Sequence, residues 1–123
     1  MARYFLTASA RSGHASQNGV GAAAAEFSVT DANGDAVTGL TQADVDLRLS
    51  YDNNGASFVP GFLRVQEKSV SLGGADGFYL ANFGGSIDSE QHWPANTSGV
   101  FVEIVVANGA DRGQIVTSFN LPA

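Results

Sequence analysis

The sequence contains no cysteine among its 123 residues. That absence excludes disulfide bonds, thiolate chemistry and cysteine-based zinc sites, and it leaves the cellular compartment open. Charged residues make up only 15% of the chain, against about 25% in typical soluble domains. The six basic residues are scattered along the sequence. Because binding to nucleic acid or to anionic membranes needs clustered Lys and Arg, the sequence predicts neither kind of partner.

Long apolar runs are also missing. No run approaches the roughly 20 residues that a membrane-spanning helix requires. Near the start of the chain, Tyr4, Phe5 and Leu6 form a dense apolar patch, but it is too short for the core of a signal peptide. We therefore expect a protein that is made without a Sec-type signal or from which the signal has been removed.

What is present favours a β domain. Apolar residues at 44% are enough for a core, and the length fits one domain, residues 1–123. Fifteen glycines accompany many Ala, Ser, Thr and Asn residues, a mixture typical of turns that join weakly charged strands. Residues 1–21 are interpreted as an N-terminal strand followed by a flexible loop.

Hydrophobic alternation predicts the strands. The clearest segment is 44–51, where one face carries Val45, Leu47, Leu49 and Tyr51. Period-two alternation of this kind indicates a strand with one buried face. Residues 3–9 form a predicted strand with Tyr4, Leu6 and Ala8 on one face, residues 11–21 a predicted loop, and the alanines of 22–25 the lead-in to a second strand.

Turn signals separate these strands. Asn33-Gly34 is a strong hairpin signal because both residues tolerate positive φ, and residues 36–40 are predicted to resume a strand after it. A second hairpin turn is predicted at 108–111. Seven or eight strands with no helix between them predict an all-β fold with antiparallel pairing, a sandwich or a barrel. Of the two, we favour an antiparallel two-sheet sandwich.

Two segments resemble bacterial immunoglobulin-like domains of the invasin and adhesin kind. They are FSVTDANGDAVTGLTQADVDLRL at 27–49 and the closing hairpin SGVFVEIVVANGADRGQIVTSFNLP at 98–122. The resemblance implies an immunoglobulin-like sandwich of seven to eight strands that acts in adhesion, spacing, or contact with carbohydrate or protein. The penultimate strand carries Phe101 where a tyrosine corner would place Tyr, and residues 76–79 offer another candidate for that feature.

We expect a non-enzymatic structural or binding module of a surface, secreted or virus-particle assembly. An extracellular, cell-surface or virion location is favoured. The final hairpin is weakly charged, since 100–106 carries only Glu103 and 115–121 carries no charge. Poorly defended sheet edges pair readily with other chains. The sequence therefore predicts a homo-oligomer that associates through sheet edges, by strand pairing or by packing of the faces of this hairpin, with the N-terminal strand involved.

Candidate chemical sites are weak. Asp31, Asn33 and Asp35 alternate as in a calcium loop, but the positions that need Gly and Glu hold Ala36 and Gln42. This segment is therefore predicted to be a turn. The two histidines, at positions 14 and 92, are interpreted as solvated loop residues rather than zinc ligands. We predict no catalytic residue, no metal site and no cofactor.

The alternative function is carbohydrate binding through the long loop around Trp93. An aromatic ring beside polar groups is common in such contacts. The candidate ligand-binding residues are Asp88, Glu90, Gln91, His92, Trp93 and Asn96. In the competing interpretation, Trp93 folds back to cover one end of the sandwich. If the loop binds a ligand, we expect a glycan or a protein.

Overall fold

The computed structural model describes residues 3–12, 23–52, 57–58, 60, 62–68, 76–84 and 97–120. Within these ranges the chain forms eight strands and one short 3-10 helix, Gln42–Asp44. The strands are β1 (Phe5–Ser12), β2 (Ala23–Thr30), β3 (Val45–Tyr51), β4 (Ser57–Phe58), β5 (Phe62–Lys68), β6 (Phe78–Gly84), β7 (Gly99–Asn108) and β8 (Asp111–Asn120). The prediction of an all-β fold is confirmed.

The strands form two antiparallel sheets. Sheet I has the order β1-β2-β6-β5, and sheet II has the order β4-β3-β7-β8. In sheet II the three long strands are bordered by β4, which has only two residues. The chain crosses between the sheets after β2, β4 and β6. The strand pairs that are neighbours both along the chain and within a sheet are β1-β2, β3-β4, β5-β6 and β7-β8.

The core lies between the sheets and follows the predicted alternation. All four apolar residues of the β3 pattern point inward and are at most 7% exposed. From sheet I, Phe27 and Tyr79 stack with ring centroids 5.3 Å apart. Phe83 of sheet I meets Phe119 of sheet II edge to face at 6.1 Å. Contacts of this kind join the two sheets into one hydrophobic cluster.

The first strand is longer than predicted. Arg11 and Ser12, which we assigned to a loop, continue the ladder by pairing with Ala24 and Ala23 of β2. The pairing also confirms that the alanines of 23–25 belong to a strand. The rest of the predicted loop, residues 13–22, lies outside the described residues.

The start of β1 also meets β8. The Tyr4 N–H donates to the Arg112 carbonyl over 2.9 Å, and Arg3 and Arg112 form an isolated parallel bridge. Gly113 permits this close approach, because a Cβ at that position would lie 2.5 Å from the Tyr4 carbonyl oxygen. The open sides of the two sheets are therefore joined here by the first residues of the described chain.

The prediction of a strand at 36–40 is wrong. Ala36 makes one bridge to Thr30 of β2, and the Val37 N–H donates to the Val29 carbonyl over 3.0 Å. Beyond this point the loop bonds to side chains. The Tyr79 hydroxyl donates to the Val37 carbonyl over 2.7 Å and accepts from the Leu40 N–H over 3.3 Å. Tyr79 therefore holds a loop 42 residues upstream, whereas a tyrosine corner bonds to backbone only a few residues away.

The turn predictions hold at both hairpin signals. The Gly34 N–H donates to the Asp31 carbonyl over 3.0 Å, and the Asp31 N–H donates to the Asp35 carbonyl over 2.9 Å. At the last hairpin Asn108 pairs with Asp111. Gly109 lies at the first position of that two-residue loop with a φ of 62°, a value that favours glycine.

Candidate functional site

The loop predicted to bind carbohydrate lies outside the described residues. This applies to every candidate there: Asp88, Glu90, Gln91, His92, Trp93 and Asn96. It applies equally to His14. The glycan-binding role of this loop therefore stays a prediction.

The carboxylate of Asp31 acts within its turn. Its Oδ1 accepts from the Asn33 N–H over 2.8 Å and from the Asp35 N–H over 3.0 Å. An oxygen engaged in this way satisfies the backbone donors of the turn. Across the residues that the structure describes, no group of three or more His, Asp or Glu side chains could hold a metal ion.

A second carboxylate ties two strands of sheet II together. Asp52 follows β3 and accepts from the Ser98 N–H over 3.1 Å and from the Ser98 hydroxyl. These hydrogen bonds, the hydroxyl first, lower the pKa of Asp52. Since the Asp52 N–H also donates to the Gly99 carbonyl, the contact holds the start of β7 in register.

The outer face of sheet II carries an apolar patch made by Phe101 and Val116. Their exposed fractions are 49% and 58%. Phe101 lies opposite Ser118, and Val116 lies opposite Glu103, so the two apolar side chains are diagonal neighbours on adjacent strands. Arg48 lies on the same face opposite Glu103. Within the described chain, Arg48 and Glu103 form no ion pair.

The outer face of sheet I is more polar and contains an ion network. Glu26 lies 2.9 Å from the Lys68 ammonium and 3.8 Å from the Arg11 guanidinium. The hydrogen bond from Lys68 is the main cause that lowers the pKa of Glu26. Beside this network is a shallow cleft of about 250 Å³, bounded by the half-exposed ring of Phe78 and by Thr7 and Ser28.

A larger pocket opens where β1 meets β8. It measures about 850 Å³, and its lining includes Arg3, Phe5, Arg112 and Gln114. Phe5 is 52% exposed. The pocket exists because Tyr4 binds the Arg112 backbone, which brings the two guanidinium-bearing residues side by side.

Sequence reasoning missed this pairing. Arg3 and Arg112 belong to opposite ends of the sequence, and the basic residues were interpreted as scattered. The one available signal was Gly113, a glycine inside an otherwise regular strand pattern, which often marks close approach of another backbone. That signal indicates a contact but does not identify β1 as its partner.

No helix among the described residues is long and apolar enough to cross a membrane. Comparisons with protein-family models, with characterised proteins and with solved structures found no match to this chain.

Proposed function

We propose that the chain is an immunoglobulin-like module with a non-enzymatic structural or binding role in a surface, secreted or virus-particle assembly. Immunoglobulin domains place strands A, B, E and D in one sheet and C, F and G in the other, and some add C′ beside C. When β1 to β8 are taken as A, B, C, C′, D, E, F and G, sheet I has the order A-B-E-D and sheet II the order C′-C-F-G. This correspondence supports the immunoglobulin-like assignment.

We also propose that the module associates with copies of itself through sheet II. The observation that carries this proposal is the apolar patch of Phe101 and Val116. Large apolar side chains clustered on an exposed sheet face favour contact with another protein surface. Strand β8, which carries Val116, has no charged side chain from Gly113 to Asn120. This part of the strand therefore lacks the charges that usually oppose such contacts.

The position of β1 bears on how copies would meet. It pairs with β2 over eight residues of its own chain. It supplies half-buried Leu6 and Ala8 to the core, next to buried Tyr4, which directly precedes it. Leaving this site would expose those side chains. The arrangement favours association through the outer face of sheet II and the free part of the β8 edge, rather than exchange of β1 between copies.

Light scattering over a concentration series tests self-association. The full chain should form an oligomer at micromolar concentrations, and Val116→Lys should shift the equilibrium toward the monomer because it places a charge in the apolar patch. Ser9→Lys is the matched control, since Ser9 is an exposed strand residue on the outer face of sheet I. A full chain that stays monomeric at high micromolar concentration would contradict the proposal.

A further inference from the structure

The pocket between β1 and β8 holds two arginines that form no ion pair with any described residue. Arg3 and Arg112 are partners in a parallel bridge, and like charges at directly neighbouring positions of a sheet are destabilising. Among the described residues, no carboxylate oxygen lies within 4.0 Å of either guanidinium. The pairing therefore has an electrostatic cost that an anion between the two side chains would remove.

The chemistry of the lining fits an oxyanion. Each guanidinium offers several N–H donors in a planar fork that matches the oxygens of a carboxylate or a phosphate. Gln114 adds an amide to the same wall, and Phe5 adds an exposed aromatic ring. The volume of about 850 Å³ lies within the roughly 300–1,000 Å³ typical of small-molecule sites, so it exceeds what a bare ion needs.

Nearby carboxylates limit which anions can bind. Tyr4 at the base of the pocket has a raised pKa, first because of burial and then because of Asp111, Asp44 and Asp31. The field of these groups opposes attraction of anions from a distance. Binding must therefore come from direct contact with the two guanidinium groups, which favours a small ligand over a long polyanion.

We propose that this pocket binds the carboxylate or phosphate group of a small ligand, held between Arg3 and Arg112, with the remainder of the ligand against Phe5. The proposal is independent of self-association through sheet II. The site lies at the edge of β8 that the start of the described chain approaches, whereas β7 borders the other edge.

Titrations followed by amide NMR test the site with four probes: inorganic phosphate, glucuronate, glucose 6-phosphate and glucose. We expect saturable shifts at the Gly113 and Gln114 amides with at least one of the three oxyanion probes and none with glucose. Which of the three binds identifies the source of the oxyanion. The variants Arg3→Gln and Arg112→Gln should each weaken binding about tenfold or more, as expected for loss of a charge-assisted contact.

Arg48→Gln is the matched control, because Arg48 is an exposed arginine on the outer face of sheet II and should leave the affinity unchanged. The proposal would be overturned by chemical shift changes that do not saturate or that persist in both pocket variants. It would also be overturned if the affinity fell equally in Arg48→Gln, or if glucose gave the same changes as the oxyanions.

Discussion

The hydroxyl of Tyr79 lies 2.7 Å from the carbonyl oxygen of Val37, to which it donates a hydrogen bond. The hydroxyl oxygen of Tyr79 in turn accepts from the Leu40 N–H over 3.3 Å. One side chain of sheet I thereby satisfies two backbone groups of the loop that leads from β2 to β3. Leu40 is 5% exposed, and a buried backbone group that loses its partner costs stability.

The first prediction follows from this contact. Tyr79→Phe keeps the stacked ring but removes the hydroxyl, so the Val37 carbonyl and the Leu40 N–H lose their partner. We expect a loss of about 1–3 kcal/mol in the free energy of unfolding, measured by chemical denaturation.

Glu67→Gln is the control for that variant. The Gly39 N–H donates to Glu67 Oε1 over 3.0 Å, and the amide oxygen of Gln can accept the same bond. Its stability should change much less than that of Tyr79→Phe. Equal stability of Tyr79→Phe and the unchanged protein would show that the loop finds other partners.

The second prediction concerns the junction of β1 and β8. In Gly113→Ala the new Cβ would lie 2.5 Å from the Tyr4 oxygen and 2.7 Å from Leu6 Cδ1. The steric overlap can be relieved only if β1 moves away from β8. We therefore expect about 1–3 kcal/mol of destabilisation and an unfolding temperature lower by several degrees.

Gly99→Ala is the matched control for the junction. Gly99 also lies in a strand of sheet II, but a Cβ there would meet no atom closer than 3.5 Å. That is ordinary contact, so the stability should change little. A similar loss in both variants would mean that the effect comes from strand glycines in general and not from the contact with Tyr4.

Local alternation was sufficient to predict much of the fold. Val45 to Tyr51 could be assigned because each inward side chain is two residues from the next, a period that strand geometry imposes. The loop at 36–40 could not be assigned in this way, since after its single bridge to β2 its hydrogen bonds go to Tyr79 and Glu67, which are distant in sequence. The two-arginine pocket has the same origin: Arg3 meets Arg112 only after the sheets have closed on each other.

The third prediction concerns the turn at Asp31. Since Asp31 Oδ1 accepts two backbone N–H groups, the turn is held without a metal ion. Addition of EDTA should leave the unfolding temperature unchanged. A metal present at a hundred times its dissociation constant stabilises by about 2.7 kcal/mol, so its removal would lower the unfolding temperature by several degrees, an outcome that would exclude this interpretation.

The fourth prediction concerns alkaline pH. Burial raises the pKa of Tyr51 to about 12 from its ordinary 10.0, and burial is also the main cause that raises the pKa of Tyr79. A raised folded-state pKa means that the neutral phenol is the form that fits the core. Its stabilisation is therefore complete below the unfolded-state pKa near 10 and declines as the pH rises from about 10 to about 12.

For Tyr51 alone this decline corresponds to about 2–3 kcal/mol. The measurement is ultraviolet absorbance of tyrosinate during an alkaline titration, with unfolding followed in parallel by circular dichroism. In the native protein the tyrosinate absorbance should rise at a clearly higher pH than in the same chain in guanidinium chloride. In the denaturant, tyrosines titrate near their ordinary pKa. If native and denatured chains titrated together, the phenols would have to be open to solvent. The inward positions of Tyr51 and Tyr79, at 2% and 0% exposure, would then be wrong.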